Sequence, residues 1–353
     1  RRRPPRRGRG CPVSHDVLAL VWFALLGILL IGYAILDGFD LGVGILHPLA
    51  KGDTERRTMM NSIGPLWDGN EVWLVTFGGA LFAAFPNAYA TVFSGFYAAF
   101  MLLLFALIFR AVSLEFRSKV KDRRWRTLWD FGFFASSLLA PFLFGVAAGN
   151  VMTGIAVDDR FVVHNGMLGQ LKPYPIAVGA LAVCLFAMHG AIFVYLKTEG
   201  DLQERARGWI WRAFFCFLAA YLGVTAYTVA EVPRALSNFE RVPALWIVPL
   251  LNVLAIANIP RAMHLKMPFY AFVSSCCTIA ALAFLFAVAL FPNLVPSTID
   301  PAYGLTVYNA RSSEKTLGIM LVVAGVGMPC VLAYTATIYW VFRGKVKLDH
   351  SSY

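Results

Sequence analysis

The chain has 353 residues, of which 59% are hydrophobic and only 14% are charged, and it carries a net charge of +11. A soluble globular domain contains about 25% charged residues, so this composition excludes an ordinary soluble protein and predicts one that is surrounded mostly by lipid. The positive charge does not indicate nucleic-acid binding, because the basic residues lie in short segments between apolar runs and no basic stretch alternates with aromatic residues.

The amino-terminal segment is rich in arginine and has no apolar stretch that would suit a signal peptide. Such a composition is not expected to form packed structure. Two explanations of residues 1–12 stay open. They are translated from upstream of a true start at Val13, or they form a disordered basic arm. Residues 1–15 are therefore interpreted as an extension that precedes the membrane domain.

Long apolar runs along the chain predict transmembrane helices, because a helix needs roughly 20 apolar residues to cross a bilayer and must pair its own backbone amides there. About nine helices are predicted, at residues 16–46, 64–86, 88–112, 127–149, 175–197, 209–230, 244–260, 267–291 and 315–343. The second is purely apolar only over residues 72–85, and the seventh contains Pro249, which predicts a kink or a contact with a partner.

The spacing of these helices predicts an all-α membrane protein made of two four-helix bundles plus one additional helix. The first bundle covers residues 16–149, and a segment at 150–174 outside the membrane separates it from the second bundle at 175–291. Residues 292–353 supply the last helix and a tail. The sequence shows no internal repeat between the two bundles.

The basic residues predict the orientation of the chain in the membrane. Most of them fall in the odd-numbered loops and the carboxyl-terminal tail, and far fewer fall in the even-numbered loops. Because lysine and arginine mark the cytoplasmic side, the amino terminus is expected outside and the carboxyl terminus in the cytoplasm.

Two aspartates directly follow the apolar part of the first predicted helix. Asp37 and Asp40 are three residues apart and therefore share a helical face, while Gly38 and Gly42 form a pattern typical of close helix contacts. Inserting a charged residue into the membrane costs about 2.5–3.5 kcal/mol of free energy, so a charged residue found there is predicted to be functional. The alternative is a polar helix end among the cytoplasmic headgroups, although His47 and Pro48 mark the end of this helix roughly two turns further on.

The second polar cluster lies at the start of the second predicted helix. Asp68 and Glu71 again share a face, and Trp67 and Trp73 flank them. The cluster predicts a proton carrier at the membrane surface. The alternative is that the carboxylates complement the helix dipole and the tryptophans anchor the helix at the interface.

The third cluster is centred on Arg110, which follows a long uncharged run and has Glu115 and Arg117 nearby. Arg110 either extends to the cytoplasmic headgroups or joins the carboxylates of the first two clusters. All three clusters are predicted near the cytoplasmic face. They predict a proton entry route or an ion-pair network that joins the first three helices.

Several of these motifs resemble subunit II of cytochrome bd quinol oxidases. The resemblance begins near residue 17, covers nearly the whole chain, and is most specific in the DGFDLGVG and WDGNEVW motifs. The matching segments are residues 36–44, 59–86, 109–119, 125–134, 146–154, 291–298 and 334–342.

The resemblance implies a subunit of an enzyme of the bacterial cytoplasmic membrane that oxidises quinol and reduces oxygen to water. It implies a partner, subunit I, which carries two b-type haems and one d-type haem, with membrane lipid and the quinol pool around it and a small single-helix subunit as a further candidate partner. This chain would bind no cofactor directly. Asp37, Asp40, Asp68 and Arg110 match positions in the family's functional motifs, and the glycine surface suits a tight heterodimer.

The histidines agree with a haem-free, metal-free chain. Only His189 falls inside a predicted helix, and no facing partner for haem ligation is evident, so a hydrogen-bonded structural role is expected for it. The alternative function is a proton- or cation-coupled transporter. Its signature would be helices broken near mid-membrane in corresponding positions of two repeats, which this sequence does not show.

Overall fold

The computed structural model describes residues 14–164 and 166–348, so the prediction about residues 1–12 lies outside the described residues. The chain is almost entirely helical, as predicted. The helices are α1 (His15–Leu46), α2 (Gly52–Ile63), α3 (Trp67–Ala84), α4 (Pro86–Gly95), α5 (Tyr97–Phe116), α6 (Arg123–Thr153), α7 (Pro173–Lys197), α8 (Gly200–Glu231), α9 (Ser237–Arg241), α10 (Ile247–His264), α11 (Pro268–Leu290) and α12 (Glu314–Val341).

Within the described part of the chain, eight helices are long and apolar enough to cross a membrane. They correspond to eight of the predicted helices. The second predicted helix is present as α3, but it is not among the eight, because its first turn carries Asp68 and Glu71. The predicted number of nine is therefore approximate. The 18 residues of α3 span about 27 Å at the rise of an α-helix.

The third predicted helix, residues 88–112, is interrupted in the structure, and its prediction as one continuous helix is wrong. The chain leaves the helical conformation at Phe96, between α4 and α5. A neighbouring loop packs against the chain at the break. Gln170 donates a hydrogen bond to the carbonyl of Gly95 at 2.6 Å, and the side chain of Val163 lies where a side chain on Gly95 would have to sit.

Helix α1 lies at the centre of the bundle and contacts α3, α6, α7 and α11. Helix α7 packs on α6 and α8, and α10 pairs with α11. By contrast, α12 touches mainly α1 and α3, and only 6% of its most apolar stretch is buried. This helix therefore presents almost all of its surface to lipid or to another protein.

One end of the bundle is closed by loops rather than helices. Two short antiparallel strands, β1 (Asn293–Val295) and β2 (Leu305–Thr306), pack there beside the segment after α6. The backbone of Ile155 exchanges hydrogen bonds with Pro296 and Thr298, at 3.1 and 2.9 Å. This layer holds the loops between the helices in one arrangement.

A buried carboxylate and arginine cluster as the candidate functional site

Asp37 and Asp40 lie inside the bundle rather than at a helix end. Helix α1 continues to Leu46, and both carboxylates are completely buried, with no exposed surface. The alternative of a polar helix end in the headgroups therefore does not describe these residues. A carboxylate removed from water in this way needs a partner, because burying an unpaired charge is very costly.

The partner of Asp37 is Arg110, which lies on α5. Its Nη2 lies 2.6 Å from Asp37 Oδ1 and also pairs with the carboxylate of Glu71. The guanidinium is only 1% exposed, so Arg110 does not extend to the headgroups. Arg110 therefore joins α1, α3 and α5 through two charge pairs.

Asp40 is not part of these ion pairs. Its Oδ2 accepts a hydrogen bond from Asn70 Nδ2 at 2.7 Å, and the same amide group donates to the carbonyl of Leu36 at 3.2 Å. Asn70 in turn accepts from the hydroxyl of Tyr339, at 3.0 Å. Asp40 is thus held by a neutral amide that also reaches α12.

The approach of α3 to α1 depends on a glycine. The ring of Trp73 packs so closely on Gly32 that a side-chain carbon added there would lie 2.3 Å from it. This close contact brings the first turn of α3, with Asn70 and Glu71, against the aspartates of α1. Trp73 is buried and packs between helices, which differs from the interfacial anchor considered from the sequence.

The remaining predicted site residues lie outside this buried core. Asp68 is exposed on α3, one turn before Glu71, whose side chain is 26% exposed. Glu115 is half-buried and lies five residues after Arg110 on α5. Residues five apart on a helix point in different directions, so Glu115 cannot share the face of Arg110.

A second charge network, not predicted from the sequence, is centred on Asp130 of α6. Its carboxylate is within 2.6 Å of His47 Nε2, 2.7 Å of Arg56 Nη1 and 2.5 Å of Arg117 Nε. Arg117 also reaches Asp53, at 2.9 Å. Burial alone would lower the pKa of Arg117, but hydrogen bonds and charge from these two aspartates outweigh it and raise the pKa.

A sequence signal for this network was available. Asp130 lies inside an apolar helix, which is the feature that singled out Asp37. The predicted helix began at residue 127, so Asp130 resembled a helix-end charge. In the structure α6 starts at Arg123, after its capping residue Asp122, and Asp130 is two turns inside.

The glycines of the first motif serve contacts within this chain. A side-chain carbon on Gly42 would lie 2.0 Å from the carbonyl oxygen of Phe186 and 2.8 Å from the Cα of Gly190, both on α7. On Gly38 it would touch the ring of Phe186 at 3.0 Å. The expectation that this surface forms a heterodimer contact is therefore wrong, because α7 of the same chain already occupies it.

His189 has a hydrogen-bonded structural role, as expected. It has no exposed surface, and its Nε2 donates to the carbonyl of Ile35 at 3.0 Å. Its Nδ1 lies 2.7 Å from the hydroxyl oxygen of Ser275, which donates its own hydrogen to the carbonyl of Phe272. The ring stacks on Phe272 with a centroid distance of 5.0 Å. Both nitrogens are engaged, so this side chain does not fit a haem ligand.

The arrangement has a definite chemical property. Three carboxyl groups, of Asp37, Asp40 and Glu71, share a largely buried site with a single guanidinium, that of Arg110. The guanidinium pairs with Asp37 and Glu71, and Asp40 is hydrogen-bonded to Asn70. Across the described residues, no group of three or more histidines, cysteines, aspartates and glutamates could hold a metal ion. The carboxyl groups of this site thus outnumber its guanidinium by three to one.

Comparisons with known proteins place the chain in a family. The family described as "Cytochrome bd terminal oxidase subunit II" matches residues 18–342. The chain is 38% identical to "Cytochrome bd-I ubiquinol oxidase subunit 2" of Escherichia coli over 365 residues, which cover 95% of this chain and 96% of the relative. It is 35% identical to "Cytochrome bd ubiquinol oxidase subunit 2" of Bacillus subtilis, with 94% and 96% covered.

A solved structure agrees with this at the level of the fold. A chain in "The structure of bd oxidase from Geobacillus thermodenitrificans" superposes with a TM-score of 0.76 at 17% identity, covering 92% of this chain and 98% of that one. The family match spans most of the chain and includes the elements that build the buried cluster. This chain belongs to the cytochrome bd terminal oxidase subunit II family.

Proposed function

We propose that the chain works as the haem-free second subunit of a bacterial quinol oxidase, in which the partner subunit I carries the b- and d-type haems. The relatives named above are ubiquinol oxidase subunits, which supports quinol oxidation coupled to oxygen reduction in the cytoplasmic membrane. Haem groups would need free axial ligands. The membrane-embedded His189 uses both ring nitrogens in hydrogen bonds, so no reaction step is assigned to a haem in this chain.

The role proposed for this subunit is to hold and pass protons that the oxidase consumes. The observation that carries it is the imbalance of three carboxyl groups against one guanidinium. If all three were ionised, two negative charges would lie uncompensated in a low-dielectric interior, which is very costly. Asp37 and Glu71 are paired with Arg110, and Asp40 has only a neutral amide partner. Asp40 is therefore the group proposed to carry the proton.

Glu71 and Asp68 are proposed as the connection between this cluster and its surroundings. The side chain of Glu71 is partly exposed while it contacts the buried Arg110, and Asp68 lies one turn away on the surface. An exposed carboxylate on a membrane helix is unfavourable against lipid. We propose that subunit I covers this part of α3 together with the unburied surface of α12.

The transporter alternative lacks support, since the family and its named relatives are oxidase subunits. The two bundles at residues 16–149 and 175–291 and the orientation inferred from the basic residues remain part of the proposal. A small single-helix subunit, membrane lipid and quinol are its further proposed partners.

The test is Asp40→Asn in the complete purified oxidase, because asparagine keeps the size of the side chain and removes the titratable group. General acid–base groups contribute about 10²–10⁴-fold, so turnover is expected to fall by about 10²-fold while the haem spectrum stays unchanged. Asp159→Asn, at an exposed loop position, is the control with unchanged turnover. Normal turnover in Asp40→Asn would disprove the proton role and leave the family assignment intact.

A further inference from the structure

Asn70 of α3 lies between Asp40 of α1 and Tyr339 of α12, and hydrogen bonds join it to both. We propose that Asn70 and Tyr339 are positioning residues that decide which oxygen of Asp40 exchanges a proton. This inference rests on the proposed role of Asp40 and adds two residues that the charge pattern of the sequence does not single out. It also gives the barely buried α12 a part in the site.

The orientation of the Asn70 side chain follows from its neighbours. The carbonyl of Leu36, 3.2 Å from Asn70 Nδ2, can only accept a hydrogen bond. The group facing it must therefore be the NH₂, whose second hydrogen points at Asp40 Oδ2, 2.7 Å away. The amide oxygen then faces Tyr339, so the Tyr339 hydroxyl must be the donor in that 3.0 Å hydrogen bond.

This orientation makes the two oxygens of Asp40 different. Oδ2 accepts the Asn70 N–H, which occupies one of its two lone pairs. Oδ1 is buried and has no hydrogen-bond partner among the described residues. A proton that arrives from water therefore forms its bond to Oδ1, giving the neutral acid. Breaking the same O–H bond releases the proton and restores the carboxylate, while Asn70 and Tyr339 keep their own hydrogens.

The charged groups around Asp40 are Asp37 on the same helix, Glu71 on α3 and Arg110 on α5. In the described structure none of them is hydrogen-bonded to Asp40, so only Asn70 distinguishes its two oxygens. Tyr339 acts one step further away, because its hydrogen bond holds the amide oxygen of Asn70 in place.

The experiment compares Asn70→Leu and Tyr339→Phe in the complete oxidase. The readouts are turnover and the infrared difference band of the Asp40 carboxyl group, which is identified by its loss in Asp40→Asn. Both variants are expected to shift this band. Asn70→Leu is expected to slow turnover about tenfold, which is less than the loss of about 10²-fold expected for Asp40→Asn, because the carboxyl group is kept but no longer held in place. Tyr308→Phe removes an exposed hydroxyl from the loop that precedes α12 and is the control with no change.

An unchanged band and normal turnover in both variants would overturn the inference. If Asp40→Asn is still slow in that case, only the positioning role fails and the proposed function stands. If Asp40→Asn also has normal turnover, the proposed proton role of Asp40 is wrong, and the positioning role that rests on it is wrong as well. Should Asn70→Leu not assemble, Tyr339→Phe decides alone, since it deletes a single oxygen atom.

Discussion

Gly42 of α1 and Gly190 of α7 cross with their backbones in direct contact. A side-chain carbon on Gly190 would lie 2.3 Å from the carbonyl carbon of Gly42, and one on Gly42 would lie 2.8 Å from the Cα of Gly190. The contact lies beside the aspartates, because Gly42 is two residues after Asp40. The pair therefore fixes how closely α1 and α7 approach each other next to the site.

Replacing Gly42 by alanine is expected to destabilise the complex. The added carbon would meet the backbone of α7, which cannot move aside as a flexible side chain could, and such overpacking typically costs about 1–3 kcal/mol. The measurement is the thermal midpoint of the purified oxidase. Gly27→Ala, in the same helix with nothing within 4 Å, is the control and should not lower the midpoint. Equal midpoints for both variants would contradict the tight crossing.

Replacing Arg110 by leucine is expected to reduce the amount of assembled, haem-containing oxidase. The change leaves Asp37 buried without its cation, and breaking a buried pair typically costs about 3–5 kcal/mol. The double variant Arg110→Leu with Asp37→Leu should recover part of the yield, because neither charge is then left unpaired. Haem absorbance of the purified complex measures this. A double variant as poor as the single one would mean that the pair is not the cause.

Asp130→Asn is expected to destabilise the oxidase much more than Asp53→Asn. Both aspartates bind Arg117, but Asp130 also binds His47 and Arg56 in a mostly buried position, while the Asp53 side chain is 42% exposed. Exposed ion pairs contribute about 0–1 kcal/mol, against several kcal/mol for a broken buried network. Thermal unfolding of the two variants gives the comparison. Similar midpoints would show that the Asp130 network adds little stability.

His189→Gln is expected to leave every haem band of the oxidase in place. Glutamine can still donate to the Ile35 carbonyl, so this hydrogen bond is retained. The optical spectrum of the assembled complex is the measurement. Selective loss of one band, with the complex intact, would make His189 a ligand.

The orientation is tested with fusions to the carboxyl terminus. A fluorescent protein fused there should be bright and a phosphatase inactive, because the distribution of the basic residues predicts that this terminus lies in the cytoplasm. Strong phosphatase activity would reverse the orientation or change the number of membrane crossings.

Much of the fold could be predicted from the sequence, because lipid leaves a long apolar segment few options other than a helix. The ends of α1, α7 and α11 fall within about two residues of prediction, which is the usual uncertainty of a helix end. The same reasoning singled out Asp37, Asp40 and Arg110, since a charge inside an apolar run is costly wherever its helix packs. These features depend only on the local chain and its solvent.

Only the tertiary structure decided which groups meet. Beside the break at Phe96, Gly95 contacts Gln170 and Val163, which lie far along the chain, and the local sequence pattern carries no information about these contacts. Pairing of Arg110 with Asp37 and Glu71, but not with Asp40, depends on how α3 and α5 are rotated against α1. That rotation is set by packing between helices, such as Trp73 on Gly32, and packing depends on shapes that only the assembled helices present to each other.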